Sequence, residues 1–164
     1  MCHLPKNPFC AACQTGKTTK KRSTRTSQKK DDPGPFGEKV TVDFLIANNA
    51  DSNGLDGQKT ALVILDIGTR MRYCAPLGGR SEEATAQAIL EFKGSSTIKS
   101  LRSDNAPEIK AACRRLNIVT PTSTPYVSNT NGVVERAIRH VEEGTRAILV
   151  KAGLPPSYWP WAAV

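Results

Sequence analysis

From residue 38 onward, apolar positions come in short runs separated by polar or Gly/Pro-rich segments. EKVTVDFLIA at 38–47 is rich in β-branched residues and predicts a first strand. NNADSNGLDG predicts a turn region. KTALVILDIG is an apolar run fit for a strand covered on both faces, and RMRYCAPL follows as a third strand. Ser81, Glu82, Glu83 and the Ala-rich run behind them predict an N-capped helix to about Phe92. STIKSLRSD predicts a short fourth strand ending at Asp104, NAPEIKAACRRL a helix, and NIVTPT a short fifth strand. After the loop PTSTPYVSNTNG, apolar residues from Val133 recur at near-helical spacing: Val134, Ala137, Ile138, Val141, Ala147, Ile148 and Leu149. This long helix, with Glu135 in its first turn, is interrupted at Gly144 and ended by Gly153, Pro155 and Pro156. Another helix begins near Ser157.

Strand hairpins followed by strand–helix units define an α/β or α+β sheet domain. At 164 residues the chain is one domain with a short appendage. Charge divides it further. The first 30 residues carry eight Lys and Arg and no acid, so the other 15 basic residues balance 15 acidic ones and the excess of +8 lies in the N-terminal arm. Lys17, Lys20, Lys21, Arg22 and Arg25 of that arm are expected to contact nucleic acid, with salt-sensitive binding. No apolar run is long enough to cross a membrane, and the N-terminus lacks a signal peptide's apolar stretch. The odd count of five cysteines does not suggest a disulfide framework, and a reducing compartment is expected.

Three carboxylates stand out. Asp43 interrupts a strand pattern of Val40, Val42, Phe44, Leu45 and Ile46. A carboxylate buried there needs a partner, and a metal ion supplies one. Asp104 follows a strand and precedes a helix, the place where ligand sites gather in open α/β sheets. Its alternative role is a helix N-cap. Glu135 lies early in the long helix, where the helix dipole alone favours an acid. Three carboxylates from separate elements can hold divalent ions, and their hard oxygens suit Mg²⁺ or Mn²⁺. Asp66 and Glu108 are assigned to structural positions rather than to this set.

CAACQTGK at 10–17, RSDNAPE at 102–108 and STPYVSNTNGVVER at 123–136 occur in an order that resembles the integrases of copia-type LTR retrotransposons. The tail LPPSYWPWAAV is similar as well, so the resemblance covers nearly the whole chain from Cys10. It implies an RNase H-like fold with a mixed five-stranded sheet flanked by helices. It also implies that Asp43, Asp104 and Glu135 form a catalytic triad binding two Mg²⁺ or Mn²⁺ ions. The implied reactions are 3′-end processing of retrotransposon DNA and its strand transfer into target DNA, with endonuclease activity from the same site. The expected partners are element-end DNA, target DNA and further copies of the full-length protein, without a membrane. The expected location is intracellular, with function in the nucleus.

By the same resemblance, residues 1–16 are a truncated zinc-knuckle remnant, 17–37 a basic flexible linker, and 38–164 a catalytic core cut at its C-terminal end. Cys10 and Cys13 have metal-knuckle spacing but supply half a tetrahedral zinc site, so Zn²⁺ requires ligands upstream of the chain. Tyr126, Asn131, Arg136 and Arg139 are candidate DNA contacts, with loop packing or solvated helix charge as the alternatives. The pattern departs from the family in two places. Ala106-Pro107 replaces Gly-Gly, and 30 residues separate Asp104 from Glu135, a handful fewer than usual. A catalytically decayed remnant that only binds nucleic acid is therefore the alternative reading.

Overall fold

In the computed structural model, the structure describes residues 7–16, 34–47, 53–104, 106–121 and 131–163. Its frame is a four-stranded sheet in the order β3-β2-β1-β4, built from β1 (Val40–Ile46), β2 (Thr60–Asp66), β3 (Arg72–Leu77) and β4 (Leu101–Arg102). β1 and β2 pair antiparallel from Val40↔Asp66 to Ile46↔Thr60, and β2 pairs antiparallel with β3. β4 runs parallel to β1, with Val40↔Leu101 and Thr41↔Arg102 in register. The central strand β2 is buried at every position, as its unbroken apolar run requires.

Alternation along β1 sorts its side chains to two cores. Val40, Val42 and Phe44 join Leu62 and Ile64 in a core with Ala86, Ile89 and Phe92 of helix α2 (Glu82–Lys93) and Ile109 and Ala112 of α3 (Pro107–Arg115). Ala61, Val63 and Leu65 face the other way, toward Ala137 and Leu149 of α4 (Asn131–Ala152) and Trp159 of α5 (Trp159–Ala162). Ser81 caps α2 as expected, accepting the Ala84 N–H at 3.1 Å. A 3₁₀ turn, Pro156–Tyr158, leads into α5. Among the described residues no helix is long and apolar enough to cross a membrane.

The expected fifth strand reduces to one parallel bridge between Ser100 and Val119. Pro121 has no N–H to extend that pairing, and Thr120 before it has no ladder partner beyond the bridge. The long helix begins at Asn131, two residues earlier than its apolar spacing indicates, and runs through Gly144 unbroken. One helix has no counterpart in the apolar pattern. The paired cysteines open α1 (Ala11–Gly16), which packs on α4 through small residues. A Cβ added to Gly16 would lie 2.9 Å from the Ala147 backbone nitrogen, so only glycine allows this approach.

Asp66 is fully buried at the end of β2 and holds the β2–β3 connection to the chain before β1. Its Oδ1 accepts the Gly37 N–H at 2.9 Å, and its Oδ2 accepts both the N–H and the hydroxyl of Thr69 at 2.7 Å. This is the structural role expected for it.

Candidate active site

The three candidate carboxylates come from three different elements. Asp43 lies on the α4-facing side of β1 and is half-buried. Its Oδ1 accepts the N–H of Phe44 at 2.8 Å. Asp104 follows β4 and is exposed, with Oδ1 accepting the Ala106 N–H at 3.2 Å, a turn-forming contact. The β1–β4 register, continued past Thr41↔Arg102, brings Asp104 level with Asp43. Glu135 is exposed on α4. Because α4 starts at Asn131, Glu135 falls beyond the first turn, where the helix dipole acts weakly. The dipole therefore does not account for an acid at this position.

Electrostatics ties the three together. Burial pushes the Asp43 carboxyl above the ordinary carboxylate range, against the lowering effect of the Phe44 N–H. The charges of Asp104 and Glu135 raise it further, and Arg80 opposes them. Arg80 is a site residue the sequence does not disclose. It follows Gly78-Gly79, and its guanidinium lies 5.0 Å from the centre of the Phe44 ring, on the residue after Asp43. Nothing in the Gly-Gly-Arg string marks it, because its role depends on where the β3–α2 connection passes.

Among the described residues, no group of three His, Cys, Asp and Glu side chains stands close enough to hold a metal ion in this arrangement. The donor chemistry nonetheless fits a divalent ion. All three groups are carboxylates, and the charges of Asp104 and Glu135 add to the cost of ionising Asp43, a cost that a cation offsets.

The other candidates divide by position. Arg136 and Arg139 are exposed on α4, and the Arg136 Nε donates to the Gly132 carbonyl at 2.8 Å. Asn131 opens the same helix. Lys17, Lys20, Lys21, Arg22, Arg25 and Tyr126 lie outside the described residues. Cys13 is fully buried in α1, while Cys10 before it is half-buried. The backbone N–H of Cys13 holds the Cys10 thiol below its usual value. Glu108 sits in the first turn of α3, away from the triad as expected, with a buried oxygen that has no hydrogen-bond partner among the described residues.

The fold matches a solved retroviral integrase. The catalytic core domain of BIV integrase aligns over 77% of this chain and 80% of its own, with a TM-score of 0.56 and 22% identity. The architecture is thus that of an RNase H-like integrase core. By sequence, the chain is 30% identical over 114 residues to the retrovirus-related Pol polyprotein from transposon RE1 of Arabidopsis thaliana. It is 28% identical over 115 residues to that from transposon RE2 of the same plant. These alignments cover 65% and 66% of the chain but only 8% of each polyprotein. No family model matches. The chain is a homologue of retrotransposon Pol polyproteins and corresponds to a copia-type integrase core.

Proposed function

We propose that this chain is a catalytic core for DNA integration, performing 3′-end processing and strand transfer at one carboxylate site. The observation that carries the reading is the convergence of Asp104 and Glu135 on the electrostatics of Asp43, across three elements of an integrase-like fold. Asp43, Asp104 and Glu135 would hold two Mg²⁺ or Mn²⁺ ions, which when bound stabilise the attacking and leaving oxygens of a phosphodiester. β1 fixes Asp43 between two packed layers, so this carboxylate is the rigid member of the set. Arg80 keeps Asp43 ionisable as the negative field accumulates. Water serves as the nucleophile in end processing, and a DNA 3′-hydroxyl replaces it in strand transfer.

Residues 38–164 form the core in this reading, 17–37 the basic linker, and 1–16 a zinc-knuckle remnant. Zn²⁺ at Cys10 and Cys13 depends on ligands from a longer protein. Element-end DNA and target DNA are the partners, multimerisation belongs to the full-length protein, and the nucleus is the site of action. The open spacing of the carboxylates and Ala106-Pro107 at the start of α3 favour one competing reading, a decayed remnant that only binds nucleic acid.

The test is Mg²⁺- or Mn²⁺-dependent phosphoryl transfer on a branched DNA that mimics the joined product. Activity abolished by Asp104→Asn supports the integrase reading. Salt-sensitive binding without transfer, also in a longer protein carrying both flanks, supports the remnant.

A further inference from the structure

A second cluster lies around α4 from the carboxylates. Arg70 and Arg72 of the β2–β3 turn meet Arg136 and His140 of α4 around a cleft of about 200 Å³, floored by the buried Leu65 and Ala137. No carboxylate lines this cleft. Arg70, Arg72 and Arg136 form no ion pair among the described residues. Three guanidinium groups brought together without an acid repel one another, and a bound anion offsets that repulsion.

The backbone gives an independent sign. Arg70 is held at φ +65°, left-handed geometry that glycine adopts freely and that costs another residue about 1–2 kcal/mol. The turn enforces it, because the Arg70 N–H donates to the Asp66 carbonyl at 3.0 Å and the Asp66 N–H donates to the Met71 carbonyl at 2.9 Å. A turn that favours glycine carries instead a cation at the edge of an unneutralised cleft. Strain kept in this way points to function.

We propose that the cleft is a phosphate-binding subsite that grips the DNA backbone beside the carboxylate site. The proposal rests on the integrase reading and adds a contact to it. Arg136 is the hinge between the two sites, since it adjoins Glu135 in sequence yet turns to the stripe of Ala137 and His140. Arginine suits this task because its planar fork matches the phosphate oxygens.

The test is fluorescence anisotropy with a short fluorescein-labelled DNA duplex in EDTA, over a series of salt concentrations. Arg70→Gly with Arg72→Gln should weaken binding about fivefold to tenfold and make the slope of log K against log salt shallower by about 0.9 for each phosphate left unneutralised. Arg115→Gln, on the exposed end of α3, serves as the control for removal of a charge. Arg70→Gly relieves the left-handed strain, so its melting temperature should not fall, which separates weaker binding from failure to fold. Affinity and slope equal to those of Arg115→Gln overturn the subsite while leaving the integrase reading in place. A variant effect confined to an RNA duplex overturns the assignment to DNA. Absence of DNA binding by the unaltered protein overturns both proposals.

Discussion

Arg80 stands over the ring of Phe44 and thereby beside Asp43, so the cation nearest the candidate site is positioned by an aromatic ring rather than by a carboxylate. Cation–π contacts hold a guanidinium in place while leaving its N–H groups available. Replacing Arg80 with Gln should raise the Asp43 carboxyl further above the ordinary range, because it removes the side-chain charge that opposes the shift. Carbon-13 NMR titration of the Asp43 carboxyl reads this directly. An unchanged titration midpoint would dissociate Arg80 from the site.

Asp43→Asn should stabilise the metal-free protein at neutral pH. The folded protein holds the Asp43 carboxyl above its ordinary value, so its favourable contribution is complete at pH below the ordinary value. The contribution disappears as pH rises through the folded value. Asparagine keeps an oxygen for the Phe44 N–H and carries no charge to desolvate. Thermal melts in EDTA should therefore place the variant above the parent at pH 7. Added Mg²⁺ should raise the parent's melting temperature and leave the variant's unchanged.

Asp66 makes the opposite case. Removing its carboxylate leaves the Gly37 N–H and both Thr69 donors without an acceptor in a fully buried place. Asp66→Ala should cost about 3 kcal/mol in urea unfolding. Two aspartates on neighbouring strands thus differ in the sign of their effect on stability, which sequence alone does not reveal.

What is legible in the sequence follows from the range of the interactions involved. The run TALVILD announces a central strand because burial on both faces writes an unbroken apolar string. The Ser81 cap lies three residues from its partner N–H and is equally readable. Asp43, Asp104 and Glu135 are marked by their surrounding motifs, whereas their mutual field appears only once β4 lies beside β1 and α4 crosses the sheet. The arginine cleft joins positions more than 60 residues apart and leaves no local mark. α1 is hidden because a six-residue helix has almost no period, and its small residues gain their meaning from Ala147.

Gly144 is a local interruption by propensity, yet α4 passes through it because packing along the whole apolar face outweighs a deficit of about 1 kcal/mol. A Cβ at Gly144 would meet nothing within 4 Å. Gly144→Ala should therefore raise stability by about 1 kcal/mol without altering DNA binding. Chemical denaturation checks the first effect and anisotropy the second.

The four described cysteines should separate by reactivity. Burial pushes the Cys74 thiol up to about 12 and the Cys113 thiol up to about 11, while Cys10 is lowered by the Cys13 N–H. At pH 8 in native buffer, iodoacetamide should label Cys10 first and leave Cys74 and Cys113 unmodified until the fold is disrupted. Peptide mass spectrometry resolves the order.

The contact of Gly16 with Ala147 makes the basic arm a loop with two moorings rather than a free tail. At one end it leaves α1 where that helix is pressed against α4, roughly 18 Å along the helix axis from Glu135 by helical rise. At the other end Gly34 lies against Gly68, two residues before Arg70, leaving no room for a side chain at Gly68. A chain tethered at both ends keeps its cations within a bounded volume around the sheet's α4 side, at an effective concentration set by loop length rather than by the amount of protein in solution. Lengthening residues 17–33 with neutral spacers would dilute that local charge without removing any of it, a change in DNA affinity made by geometry alone.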